Sequence, residues 1–393
     1  MNEFPFDVET TTRNRGHPFT PSNKLVCWSS KDMFKYHTDP DFRSALQKGI
    51  EEADELVGHN IKFDLHWLCN ELPSAEKLIL NKRIWDTMLA EYVLSSQRFG
   101  FKSLDETLAT YNIPPKKFDN VKEYWENKID TVDIPIPILE EYSRYDSDCL
   151  PELKEWQQAS MTPAQIAIVY LMGEDMKTLV HAEQAGIKFN SKEALEYMDS
   201  LSNEIKLIEA KLFTFLPDIP IQCVFNWDSG DHLSVLLYGG TLSFPYTVQE
   251  TSEYKSGPNK GQSYTRNRHY THEVVFPKLF VPLERTEVKK TVDNPEATTR
   301  LYKTDSETLK QLKTSRKTKE ILELLQERAE KIKVVEMVAG IFKRFQEMEW
   351  EDDFIHGQFN QNVTITSRLS SSGPNLQNTP TEVDKLLVSR YAG

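Results

Sequence analysis

The chain has 393 residues, enough for two or three domains each with its own core. Its 39% apolar and 11% aromatic content exclude a disordered polypeptide, and a formal net charge of −13 excludes a protein that coats nucleic acid by bulk attraction, though not an enzyme acting on one. No run of about 20 apolar residues and no basic or apolar leader in MNEFPFDVET point to a membrane or to secretion, and Cys27, Cys69, Cys149 and Cys223, far apart and unpaired in spacing, suit a reducing cytoplasm rather than a zinc or disulfide framework.

In chain order, FPFDVET reads as a strand and KLVCWSS as a second, after a turn rich in Gly, Pro, Asn and Ser. DPDFRSALQKGIEEA reads as a helix and DELVGHN as a short strand, and this alternation predicts an α/β domain. DLHWLCNEL and WDTMLAEYVL read as further helices, the second capped by Asp86. A proline-rich connector, VDIPIPILEE, leads into a helix over EYSRYDSDCLPELKEW, and the first domain is placed at residues 1–158, leaving 159–393 as a second region. Long helices take over from Thr162. AQIAIVYLMGEDMKTLVHAEQ ends at Gly186 as a C-cap, and SKEALEYMDSLSNEIKLIEAKLFTFL follows Asn190, with Glu193 as its capping-box partner. Residues 242–303, rich in Tyr, Thr and charge around SGPNKGQS, read as a mostly β or irregular insertion. A last helix over about 317–346 carries the apolar stripe Ile321, Leu324, Leu325, Ile332, Val335, Val338 and Phe342.

Acid is concentrated early: residues 1–150 hold 26 Asp and Glu against 18 Lys and Arg. A site for divalent cations needs such carboxylates. Asp7 and Glu9, two apart in a strand, point to one face and repel unless water, a basic side chain or a metal lies between them. Asn60 and Asp64 in VGHNIKFDLHWL are four apart and share a face of a helix starting near His59; the plainer alternative makes Asn60 a cap and Asp64 a first-turn acid. Tyr142 and Asp146 in EYSRYDSDCL repeat the four-residue spacing. His59 and His66 read as helix-start and surface residues, Asp148 as a solvated acid and Cys149 as a packed side chain.

Singly, each pair has an ordinary explanation. As an ordered set, D-x-E, N-x-x-x-D and Y-x-x-x-D resemble the three exonuclease motifs of the DEDD superfamily in its tyrosine variant, which has an RNase H-like fold. WDTMLAEYVL and KSLDETLATY also resemble that family. The resemblance implies two divalent ions, Mg²⁺ or Mn²⁺, about 4 Å apart. Asp7 would bridge both, Glu9 and Asp146 complete the first site, and Asp64 hold the second. Tyr142 would orient or help deprotonate the attacking water, and Asn60 would position substrate.

FNQNVTITSRLSSSGPNLQNTP, residues 359–380, resembles the family A DNA polymerase segment written TGRLSSxxPNLQNIP at the thumb–palm junction, with Ser367 for the usual Gly and Thr379 for the usual Ile. AGIKFNSKEAL and YKTDSETLKQL resemble earlier parts of the same polymerase region, so the resemblance covers most of the chain outside 242–303. Arg368, Asn375, Gln377 and Asn378 carry donors suited to minor-groove acceptors and sugar-phosphate. KQLKTSRKTK offers Lys310, Lys313, Arg316, Lys317 and Lys319 for DNA backbone contacts, or else is a solvated helix end.

The expectation is therefore an α/β RNase H-like exonuclease domain followed by a mainly α thumb region with a β-rich insertion and a partial palm. By resemblance it removes 3′-terminal nucleotides from DNA, as a proofreading activity, and binds primer-template. In that family the NLQN word is followed by a palm strand, a fingers helix and further palm acids; here VSRYAG follows closely, so the resemblance implies no primer extension by this chain alone. A separate palm–fingers chain, as in a split polymerase, is one alternative, and a non-catalytic DNA-binding scaffold is another. The setting implied is the cytoplasm of a bacterium or phage-infected host.

Overall fold

The computed structural model describes residues 2–31, 33–98, 100–114, 120–221, 223–283, 302–315 and 318–389. The chain divides into two compact units, Met1–Ala194 with Met337–Gly393, and Leu195–Glu336.

The first unit opens with β1 (Glu3–Pro5) and β2 (Asp7–Thr10), one extended run that changes sheets at Phe6. Phe6 is fully buried and its N–H donates to Val57 O at 3.0 Å. β2 pairs antiparallel with β3 (Leu25–Ser30), which pairs antiparallel with β4 (Met33–Tyr36). α1 (Phe42–Glu52) leads to β5 (Glu55–Gly58), then α2 (Lys62–Glu71), α3 (Ala75–Leu80) and β6 (Arg83–Asp86). Strand β1 pairs in parallel with β5 and β5 with β6, the arrangement that helical crossovers produce. Phe4, Phe6, Val8, Trp28, Leu46 and Leu56 form the centre of the core beside these strands.

α4 (Thr87–Leu94) starts where Asp86 accepts hydrogen bonds from the backbone N–H groups of Met88 and Leu89, as expected of a cap. α5 (Leu104–Thr110) and α6 (Asn120–Glu126) precede a pair of helices, α7 (Ile136–Asp148) and α8 (Leu150–Ser160). The sequence suggested one helix over EYSRYDSDCLPELKEW after a proline-rich connector. Instead α7 begins inside that connector, because proline is tolerated in a first helical turn, and Cys149 separates it from α8. α9 (Pro163–Ala185) ends at Gly186, whose φ of 64° is the left-handed conformation glycine adopts without strain.

β7 (Ile187–Phe189) precedes α10 (Ser191–Leu212), started by Asn190, which accepts from Glu193 N at 3.3 Å. Within the second unit lie α11 (Gly230–Tyr238), β8 (Gly240–Glu253), β9 (Ser263–Phe276) and α12 (Ser306–Gln311), with much of α13 (Lys319–Met348). Leu212, Phe225, Trp227, Leu237, Phe276 and Ile321 are central to its core. The described part of the expected β-rich insertion, which reaches back to Gly240, is a regular hairpin of β8 and β9; residues 284–301 of that stretch lie outside the described residues. The first unit resumes with β10 (Phe354–Ile355), β11 (Gln358–Asn360), β12 (Ser370–Ser372), α14 (Thr381–Asp384) and β13 (Leu387–Val388). β7 lies between β10 and β13, and β11 pairs with β12.

One buried charge cluster locks the parallel sheet. Lys154 of α8, 5% exposed, contacts the carboxylate of fully buried Glu55 on β5 and reaches Glu3 Oε1 at 2.6 Å. Removing the cation strands a buried carboxylate. Lys154→Ala is expected to lower unfolding free energy by about 3–5 kcal/mol in urea titration, whereas Lys154→Met with Glu55→Leu recovers most of it.

Candidate active site

Strand β2 alternates. Phe6 and Val8 enter the core, which leaves Asp7 and Glu9 on the opposite face. α7 packs against β2, β3 and β4 on that side. Two small residues fix its height: Ser29 Oγ donates to Ser143 O at 2.7 Å, and Ser143 Oγ lies 2.9 Å from Ser29 Oγ. Leu139, Ser143 and Asp146, at helical spacing, are all buried against the strands. This packing brings ligand oxygens of Asp7, Glu9 and Asp146 within 4.8 Å of one another.

Asp64, in the first turn of α2, is buried and accepts a hydrogen bond from Val8 N at 3.1 Å, the backbone amide between Asp7 and Glu9. Burial, and then the charge of Asp7, push its carboxyl well above the usual carboxylate range, while the Val8 amide pulls the other way. Tyr142 sits one turn before Asp146, its ring edge-on to Trp125 at 5.6 Å and packed, partly buried, against the apolar cluster that includes Cys27 and Leu139. Burial, reinforced by Glu9 and Asp7, pushes the Cys27 thiol up, so it is no nucleophile.

Asn60 departs from expectation. It does not share a helix face with Asp64, because α2 begins at Lys62 and Asn60 has a φ of 57°. A tight turn joins β5 to α2, and the Asn60 N–H donates to Asp86 Oδ1 at 3.0 Å, the same oxygen that receives Met88 N. His59 is tied beside it, Nδ1 at 2.9 Å from Thr87 Oγ1 and Nε2 at 2.8 Å from Lys102 O. The side of α2 away from Asp64 is also occupied. His66 is not a surface residue: it is 3% exposed, with Nε2 at 2.7 Å from Glu183 Oε2 on α9. Lys62 Nζ contacts Glu183 Oε1 and Phe359 O, each at 2.7 Å, and Phe359 N donates to Glu183 Oε1 at 2.7 Å. Burial works to raise the Glu183 carboxyl, but the bond from His66 and the charge of Lys62 outweigh it and hold it below the usual glutamate range. Burial pushes His66 down against the pull of Glu183, which fits a neutral imidazole donating from Nε2.

Asn60, Lys62, Phe63, His66, Glu183 and Gln358 line part of a pocket of about 410 Å³ in the same unit. Sequence reading missed Lys62 and Glu183, whose partners are too distant in the chain to leave a local pattern. Arg368, Asn375, Gln377 and Asn378 are all exposed. The turn that carries them is braced by Ser371 Oγ, which accepts from Leu376 N at 3.1 Å, and Asn375 and Asn378 border a groove of about 400 Å³ with Arg344. Lys317 and Arg316 lie outside the described residues.

Residues 3–156 match the 3′-5′ exonuclease family, and residues 272–391 match DNA polymerase family A. A DNA polymerase of Bacillus phage SP01 is 22% identical over 367 residues, an alignment spanning 88% of this chain and 36% of that protein. A solved structure, the POL domain of Pol1 from M. smegmatis in complex with DNA primer-template and dNTP, superposes with a TM-score of 0.60 at 18% identity, covering 97% of this chain and 53% of that one. The chain thus spans about a third of the curated relative and about half of the structural one.

Three carboxylates this close, with only oxygen donors, fit a hard divalent cation. Mn²⁺ at about a hundredfold excess over its Kd is expected to stabilise the protein by roughly 2.7 kcal/mol, read as a rise in Tm. Asp7→Asn and Asp146→Asn should each abolish that increment; a full increment in both variants would put the ion elsewhere.

Proposed function

Because the chain belongs to DNA polymerase family A and carries a 3′-5′ exonuclease domain over residues 3–156, we propose that its carboxylate cluster hydrolyses the 3′-terminal phosphodiester of single-stranded or frayed DNA. The observation that carries this reading is the convergence of Asp7, Glu9 and Asp146 within 4.8 Å, with Asp64 bonded to the amide between the first two. A 3′-5′ exonuclease domain implies use of divalent metal, and the oxygen-only donor set suits Mg²⁺ or Mn²⁺. Bound there, two such ions supply an activated water and charge to offset that developing on the attacked phosphate and the leaving oxygen.

The chain's own residues do the rest. Asp7 would serve both ions, with Glu9 and Asp146 completing the set that holds the first. Asp64, which accepts from Val8 N, would hold the second. The Tyr142 hydroxyl orients the attacking water beside Glu9, and the packing of its ring against Trp125 restricts where that hydroxyl points. Asn60 borders the pocket at the start of α2, where it positions the terminal nucleotides. Arg368, Asn375, Gln377 and Asn378 offer donors to duplex primer-template, Lys317 serves the same purpose from outside the described residues, and residues 195–336 and 337–393 correspond to a thumb and the beginning of a palm. Proofreading is the role this activity serves beside palm and fingers elements, in a longer polypeptide or a partner chain.

A 3′-labelled single-stranded oligonucleotide with Mg²⁺ tests the reading. Asp7→Ala should slow label release by about a thousandfold, the equivalent of several kcal/mol of lost metal stabilisation. Tyr142→Phe should slow it by about a hundredfold with Mn²⁺ stabilisation retained. Label kept by both proteins would leave a DNA-binding scaffold instead, and equal release by both would place the hydrolysis outside this carboxylate cluster.

A further inference from the structure

Neither family match reaches residues 240–271, where the chain builds a ribbon it does not need for its core. β8 and β9 pair over fourteen positions, from Gly240 opposite Phe276 to Glu253 opposite Ser263, a length of about 45 Å. Only the base is anchored: Phe244, Val274 and Phe276 are buried in the second unit's core. Outward from Phe244 on one strand and from Val274 on the other, every residue of the ribbon is exposed or half-exposed. A two-stranded hairpin gains little stability from such reach.

The register sorts its side chains. One face carries Tyr246 opposite Tyr270, Val248 opposite Arg268, Glu250 opposite Arg266 and Ser252 opposite Tyr264. The other carries Thr247, Gln249 and Thr251 opposite His269, Asn267 and Thr265. Tyr246 and Tyr270 stack at 5.6 Å and Tyr254 meets Tyr264 at 4.6 Å, stiffening the ribbon. Residues 245–273 hold four cations, Lys255, Lys260, Arg266 and Arg268, against Glu250, Glu253 and Glu273, in a chain of net charge −13; Glu273 lies next to the anchored base, and the three cations nearer the tip face only Glu253 besides the engaged Glu250. Glu250 is engaged within the ribbon, at 2.7 Å from both Arg268 Nε and the Tyr270 hydroxyl.

We infer that this hairpin is a second DNA-binding element, gripping the phosphate backbone of double-stranded DNA with Lys255, Lys260 and Arg266. Local positive charge on a stiff two-stranded ribbon matches the chemistry of a phosphate surface and the dimensions of a duplex groove. The tyrosines stack on each other rather than standing open as platforms for unpaired bases, which favours duplex over single strand. The inference goes beyond the nuclease reading and uses none of its residues.

The test compares the full chain with the triple variant Lys255→Gln, Lys260→Gln, Arg266→Gln, all at exposed positions away from the anchored base. Binding of a labelled 20-base-pair duplex and of a single strand is followed by anisotropy between 50 and 200 mM NaCl, with melting temperature as the folding control. Expected is a weakening of duplex affinity of about tenfold or more and a salt slope shallower by about 2 to 3, with single-strand affinity, melting and 3′-label release unchanged. Duplex affinity and slope equal to the unsubstituted chain overturn the inference, as does a loss confined to single strands. Label release from single strands, measured on the same preparations, reports separately on the nuclease reading.

Discussion

Mutual repulsion among carboxylates is the constraint around which the first domain is built. Like charges 4–5 Å apart cost on the order of a few kcal/mol per pair at the effective dielectric of a protein surface. Asp7, Glu9 and Asp146 are held at such distances, and burial together with the charge of Asp7 pushes Asp64 toward its neutral form. Nothing in the carboxylates themselves favours the arrangement, so uncharged contacts must impose it. The change of sheet at Phe6 anchors β2, the Ser29–Ser143 pair holds α7 against β3, and the Val8 amide ties Asp64 to the strand between its two acidic neighbours. A divalent cation held there would convert the same geometry from liability to binding energy.

Helix α2 serves two masters through its period. Lys62 and His66, four apart, lie on one face and meet Glu183 of α9, while Asp64, two from each, faces β2. Glu183 also takes the Phe359 amide, and Lys62 reaches the Phe359 carbonyl, so the helix that orients one candidate ligand also braces the strand leading into the Arg368–Asn378 segment. A buried carboxylate held by three polar partners, Lys62, His66 and the Phe359 amide, is expensive to disturb singly. The exonuclease domain and the C-terminal segment are therefore joined by satisfied charge as well as by apolar packing, all within one compact unit.

What was legible in the sequence was local. Period-two spacing placed Asp7 and Glu9 on one face, four-residue spacing put Tyr142 and Asp146 on another helix, and Asp86 and Gly186 marked helix ends by their own chemistry. Asn60 had a suggestive spacing but sits in a left-handed turn that no periodicity reveals. His66 read as exposed because its partner Glu183 is 117 residues away. α7 was started late because prolines in a connector and prolines in a first turn look alike. The hairpin lacked the apolar alternation of a half-buried strand because, beyond its base, neither face is buried, so the sequence marked a mostly β or irregular insertion without giving the register or the length of its fourteen-residue strands.

If the proposed function holds, a chain of net charge −13 acts on a polyanion and must concentrate its positive charge where the rest of its field does not cancel it. Screening makes this possible, because charges on a solvated surface lose influence beyond about 8–10 Å at physiological ionic strength. The tip of the β8–β9 ribbon stands about 45 Å from its own base, several screening lengths along the strands. The local potential there is then set by Lys255, Lys260 and the nearby arginines rather than by Glu273 near the ribbon's base, while the carboxylates of the first domain, on the same proposed reading, would gather cations. On that reading, placing the acids and the ribbon's cations in different segments of the chain would let one polypeptide attract both metal and phosphate.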